Sequence, residues 1–165
     1  MKHETSNSMP PRFLVELDQI RARIIVTDPD SIVETQNEDG TTAYEYNQYE
    51  TIKPFRAGIL EDVEKNFSAW YDMVKLEDAE RTAKIFRMRR DELLRRSDSQ
   101  LAIDRIGLEV PTGTTFSSWL VFLKQFGEML TGEWAAYRKK LRDLTQNPAW
   151  PYIGENDWPV PPSEV

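Results

Sequence analysis

The period of the apolar residues changes once along this 165-residue chain, and the change falls at Lys53-Pro54. Before it lie short runs suited to strands. Phe13 to Leu17 and Arg21 to Val26 are β-prone, and Asp28-Pro29-Asp30 closes the second in a turn. Ser31 to Gln36 and Thr41 to Ile52 read as a hairpin, because Asn37-Glu38-Asp39-Gly40 between them ends in Asp-Gly, which supplies the positive φ of a tight turn. Tyr44, Tyr46 and Ile52 fall on one face of the second strand, with Ala43 and Tyr49 on the other. The residue before a proline is pushed off helical angles. Beyond the break Ile59, Val63, Phe67, Trp70 and Val74 recur at steps of four and three, the stripe of an amphipathic helix. The fold class expected is α+β: a flexible N-terminus over residues 1–11, a small antiparallel β module over 12–54, and a mainly helical module over 55–165 that ends in an extended Pro/Trp tail.

Within the helical half, Asp78 is expected to cap or open a helix whose apolar face carries Ala79, Ala83, Phe86, Leu93 and Leu94, with Ser97-Asp98 at its end. Leu108 to Thr115, containing Pro111 and Gly113, is a loop. The clearest helical pattern follows. Trp119, Leu123, Phe126, Leu130, Trp134, Tyr137, Leu141 and Leu144 alternate steps of four and three and form one seam for packing against another helix. Gly127 and Gly132 kink this seam or split it, since each glycine costs about 1 kcal/mol relative to alanine inside a helix. Residues 119–123 are apolar on every side of the helix, more than one small domain can cover, so Trp119, Phe122 and Phe126 are candidate anchors for a partner. From Asn147 the prolines exclude helix, and the tail with Trp150, Tyr152 and Trp158 is expected to dock back on the helices.

Composition narrows the chemistry. A net charge of -7 argues against general nucleic-acid or anionic-membrane binding. Cysteine is absent, so there is no disulfide, thiol nucleophile or thiolate metal site. His3 is the sole histidine, which excludes an ordinary Ser-His-Asp triad and a histidine-based zinc site. Met1 to Pro11 lacks the apolar core of a signal peptide, and no run is long enough to span a bilayer, so the expected place is the cytosol of the cell that makes the chain. Asp28 and Asp30 are spaced to share a divalent ion, but two turn residues flanking a proline are the preferred reading. Arg81, Lys84, Arg87, Arg89, Arg90, Arg95 and Arg96 crowd one stretch and Arg138, Lys139, Lys140 and Arg142 another, yet Glu80, Asp91, Glu92 and Asp143 lie among them at helical spacings, with Asp91 to Arg95 a favourable pair. Salt-bridged faces are preferred over a partner surface, and both over a phosphate contact. There is no phosphate-cradling glycine loop. No enzymatic activity and no cofactor are expected.

Four pieces of the second half share one resemblance: Ala83 to Leu94, which holds Arg90-Asp91-Glu92-Leu93-Leu94; Ser97-Asp98-Ser99; the run Trp134, Tyr137, Arg138, Leu141, Arg142, Asp143; and the downstream Trp158-Pro159. Residues 79–165 resemble the phage tail assembly chaperone domain, the C-terminal module of many tail fibre assembly proteins. Two departures stand out. Ser99 occupies the place of the family's usual tryptophan, and Leu101 to Thr131 is longer than the usual link, which points to an inserted or extended helix that enlarges the partner surface. Residues 13–52 match no pattern of that family. The resemblance implies a non-catalytic assembly chaperone that binds a trimeric tail fibre, in its C-terminal region, and assists its folding and trimerisation in the host cytoplasm. Retention on the virion, as a cap or adaptor at the fibre tip or baseplate, is the alternative. Neither nucleic acid nor membrane is an expected partner. Trp119, Phe122 and Phe126, with Tyr44 and Tyr46 on the β module, are the candidate partner contacts. Asp91, Trp134, Tyr137, Arg138, Leu141, Arg142, Asp143, Trp158 and Pro159 are the module's signature, with Asp91 and Asp143 expected to pair with Arg138 and Arg142.

Overall fold

A single long strand organises the N-terminal half. In a computed structural model that describes residues 1–37, 40–98, 100, 109–113 and 115–162, Thr42–Pro54 forms a 13-residue strand, β5. It is the spine of a five-stranded antiparallel sheet with β1 (Lys2–Ser6), β2 (Phe13–Leu17), β3 (Arg21–Thr27) and β4 (Val33–Gln36), in the order β1-β5-β3-β2 with β4 also on β5. The β4–β5 hairpin closes with Gly40 at φ 80, the left-handed value the turn requires. Asp39 lies outside the described residues.

The register explains which face is covered. Val26 stands opposite Tyr49 and Ile24 opposite Thr51, which puts Ala22, Ile24, Val26, Tyr49 and Thr51 on one face, all buried. Helix α1 (Ile59–Lys65) and the start of α2 (Phe67–Asp98) supply Ile59, Val63 and Val74, also buried. The Phe13 and Phe67 rings meet at 5.9 Å, and Glu77 accepts from Thr51 Oγ1 at 2.6 Å and pairs with Lys53. Each fully buried aliphatic side chain contributes about 1.5–3 kcal/mol, so this face is where the sheet's stability resides.

The chain divides into two compact units, Met1–Thr82 and Ala83–Val165. The change of period at Lys53-Pro54 therefore marks a change of secondary structure inside the first unit. Its apolar sheet face needs α1 and the first turns of α2 to cover it. Two further expectations are corrected there. Lys2–Ser6 is a strand within the segment expected to be flexible; it pairs with β5 from Lys2 opposite Gln48 to Ser6 opposite Tyr44. A polar segment can do this because an open sheet edge offers backbone partners irrespective of side chain. Asp78 neither caps nor opens a helix. It is buried in the middle of α2, where Arg81, one turn on, donates to it at 2.7 Å and the Met1 amine pairs with it. Once those donors satisfy the carboxylate, it no longer competes for backbone N–H groups, and the helix runs on.

The second unit comprises the rest of α2, α3 (Phe116–Thr131), α4 (Glu133–Asp143) and two 3-10 turns, Leu144–Gln146 and Glu155–Asp157. The expected seam is split at Gly132, which adopts extended angles between α3 and α4, whereas Gly127 stays inside α3. Ser99, residues 101–108 of the expected insertion and the Leu130 side chain of the expected seam lie outside the description. Tyr137, Leu141, Leu144, Ile153 and Trp158 form the buried core, with Phe86, Leu93, Leu94, Trp134 and Trp150 packed against it. The segment after Asn147 is folded into turns over much of its length. Trp158 lies edge-on to Phe86 at 5.5 Å and beneath Arg89 at 4.2 Å, and Arg89 holds Glu155 by two bonds of 2.6 and 2.8 Å.

Candidate functional site

Helix α3 exposes the large apolar residues Phe116, Trp119, Leu120, Val121 and Leu123. Its sequence, Phe116-Ser-Ser-Trp-Leu-Val-Phe-Leu-Lys-Gln-Phe, puts large apolar groups at positions that cannot share one face. Trp119, Phe122 and Phe126 stack on one another along one side, Trp119 edge-on to Phe122 at 5.8 Å and Phe122 parallel to Phe126 at 6.1 Å. The indole of Trp119 donates to Gly113 O at 3.0 Å, and Ser118 Oγ donates to Thr115 O at 2.7 Å, so the entry to the helix is tied to the preceding loop. Between that loop and the helix lies a groove of about 460 Å³, lined by Glu109, Val110, Pro111, Thr112, Ser118, Val121, Phe122 and Gln125.

The side of α3 away from the groove is open: Phe116 is 78% exposed, Leu120 50% and Leu123 57%, while Val121, on the groove side, is 58% exposed. Scattered exposed leucines are ordinary, but this many on about two successive turns form a contiguous patch of the kind that marks an interaction surface. Phe116, Leu120 and Leu123 are absent from the candidates drawn from the sequence. The signal for Leu120 and Leu123 was the apolar run over residues 119–123; Phe116 lies outside that run. Chemically, the patch offers apolar contact, and the groove joins apolar walls from Val110, Pro111, Val121 and Phe122 to polar groups of Glu109, Thr112, Ser118 and Gln125.

The signature residues hold the unit together. Arg138 does not pair with Asp91 or Asp143. Its Nη1 donates to Leu94 O at 3.1 Å and Ser97 Oγ at 2.8 Å and pairs with the Asp98 carboxylate. Ser97, 1% exposed, donates in turn to Leu94 O at 2.7 Å. The reason is the helix terminus: the last turn of α2 carries the negative end of its dipole, which a guanidinium from α4 neutralises. Asp91 pairs with Arg90 instead, Asp143 with Lys139, and Arg95 with Glu92. Arg95 and Arg96 together hold the Glu92 carboxyl down to about 2. Arg142 is exposed. Tyr137 and Leu141 are buried, the half-buried Trp134 lies edge-on to Tyr137 at 5.7 Å, Trp158 is buried and Pro159 half-buried.

The β-module candidates differ from each other. Tyr46 is buried and offers a partner little surface, while Tyr44 is half-buried on the same face of β5. Both belong to the first unit, and Trp119, Phe122 and Phe126 to the second. Asp28, also in the first unit, is a buried carboxylate that accepts from Tyr49 at 2.9 Å, Tyr71 at 3.0 Å and the Asp30 backbone at 3.3 Å, with Lys75 at 3.8 Å. Burial alone would raise its pKa, but the two phenols and Lys75 outweigh that and hold it below the usual range. Burial, then the hydrogen bond to Asp28, pushes the Tyr49 phenol up to about 12. Both carboxylate oxygens are thus engaged by tyrosines, and among the described residues no three histidines or carboxylates cluster to hold a metal ion.

No helix among the described residues is long and apolar enough to cross a membrane. No protein-family model, curated protein or solved structure matches this chain.

Proposed function

We propose that the protein is a non-catalytic phage tail fibre assembly chaperone, which binds the fibre in its C-terminal region through α3 and assists its folding and trimerisation. The observation that carries this reading is the groove beside α3, about 460 Å³, walled by Val110, Pro111, Val121 and Phe122 and open to solvent. Those walls take apolar side chains from a segment of an unfinished fibre chain, while Glu109, Thr112, Ser118 and Gln125 offer polar groups to its backbone. Binding there removes apolar surface from water at about 25 cal/mol per Å², which shields the segment until three chains come into register. No energy source is required. Release follows when assembly of the trimer buries the same segment and leaves the chaperone nothing to bind.

The signature residues fit this reading as structural members: Arg138, Tyr137, Leu141 and Trp158 build the unit that presents α3, and the fibre contact lies elsewhere. Val121→Asp tests the assignment. Val121 is exposed and lines the groove, so the variant is expected to keep the wild-type melting temperature and to bind the fibre at least tenfold more weakly, read by titration of the purified C-terminal fibre fragment. Undiminished binding by a folded Val121→Asp protein would remove the groove from the mechanism. Co-elution of the chaperone with the finished trimer would show that it stays on the particle as a cap or adaptor.

A further inference from the structure

On the face of α3 turned away from the groove lie Phe116, Leu120, Leu123 and Gly127, at steps of four, three and four. Among the described residues, nothing in the chain accounts for Gly127. It lies inside a helix, where alanine is the better residue, and a Cβ built on it meets no atom within 4 Å. A glycine kept in open space on an apolar stripe suits close approach by something from outside.

The stripe is its own complement. Four-three-four reads the same in both directions, so two copies of α3 running antiparallel about a two-fold axis level with the Val121–Phe122 peptide set Phe116 of each against Gly127 of the other, and Leu120 against Leu123. The largest side chain meets the smallest residue, and the two leucines meet each other. Trp119 and Phe126 flank the stripe on one side, and in an antiparallel pair like flanks adjoin, so Trp119 of one copy reaches Phe126 of the other. We infer that α3 pairs antiparallel with α3 of a second copy of this chain, as an isologous homodimer whose notch is Gly127.

The area agrees with a weak, reversible dimer. With aromatic side chains presenting about 150–250 Å² each when bare, the exposed parts of Phe116, Trp119, Leu120 and Leu123 come to roughly 500 Å² per chain. Two copies then bury at most about 1,000 Å², the threshold of a specific interface. The dimer stands apart from fibre binding, because stripe and groove occupy opposite sides of the helix.

Sedimentation velocity of the full chain tests this. The wild type is expected to pass from monomer to dimer between about 1 and 100 μM, the range for an interface at that threshold. Leu120→Lys/Leu123→Lys and Leu120→Glu/Leu123→Glu are each expected to be monomeric throughout, with unchanged circular dichroism, and an equimolar mixture of the two to dimerise, since every lysine then faces a glutamate. Gly127→Leu fills the notch and is expected to weaken the dimer at least tenfold while raising the melting temperature of the monomer. A wild type that is monomeric at every concentration overturns the pairing. So does a charge variant that still dimerises alone, a mixture that stays monomeric although both variants are folded, or a Gly127→Leu protein that dimerises as well as the wild type.

Discussion

Asp28 shows how one side chain does its work through protonation state. Its carboxylate takes two tyrosine hydroxyls, one from β5 and one from α2, and so ties sheet to helix inside the first unit. Its pKa in the fold lies below the ordinary 3.8, so the stability it supplies is complete above that value and is lost as pH falls through the folded value. Tyr49 has the opposite sign: with its phenol raised to about 12, its contribution is complete below pH 10 and fades as pH rises from there. Asp28→Asn should therefore destabilise the protein at pH 7 by about 1–3 kcal/mol, as expected for loss of a charged hydrogen-bond acceptor. It should also show a smaller drop in melting temperature between pH 5 and pH 3 than the wild type. Equal drops in the two proteins would show that Asp28 is not the group that titrates. Arg138 works differently, closing the C-terminal end of α2 through Leu94 O, Ser97 and Asp98. The sequence presents the acids near Arg138 but not which helix end its guanidinium meets. That is why Asp91 and Asp143 looked like suitable partners and are not.

At the scale of elements, what the sequence expresses well is anything that depends on side-chain period. Strands β2, β3 and β5, the hairpin turn at Gly40 and the stripe through Ile59, Val63 and Val74 can all be read from spacing alone, because burial on one face imposes that spacing. Strand β1 could not be read, since its side chains are polar and its stability is drawn from backbone pairing with β5. The unbroken course of α2 through Asp78 was equally hidden, because it depends on donors supplied by Arg81 and the Met1 amine. In the candidate site, the ring ladder of Trp119, Phe122 and Phe126 was legible. The groove was not, as its far wall comes from a loop with no periodic signal. On α4, Tyr137 and Leu141 face the core and Leu141 is fully buried. Leu141→Ala is expected to cost about 2–5 kcal/mol, the range for a large-to-small change at a buried site. Chemical denaturation checks this, and a loss under 1 kcal/mol would mean that the core around Trp158 and Ile153 collapses to fill the space.

For the whole molecule, the two units differ in what they leave open. The first covers one face of its sheet with α1 and α2 and satisfies its buried Asp28 and Asp78 within itself. The second builds a core around Leu141 and Trp158 but leaves α3 with apolar groups on opposite sides, an arrangement that a chain resting alone in water would not favour. In the proposed assembly a fibre segment occupies the groove side and a second copy the Phe116 side, so one short helix serves both binding and self-association. Chaperoning of the fibre is the heart of this proposal. Its sharpest test is to produce a candidate client tail fibre with and without this protein and to measure the fibre's oligomeric state by size exclusion with light scattering. A soluble trimer is expected only when this protein is co-produced. A fibre that trimerises equally well alone, and never associates with this chain at any stage of assembly, would contradict the proposed function.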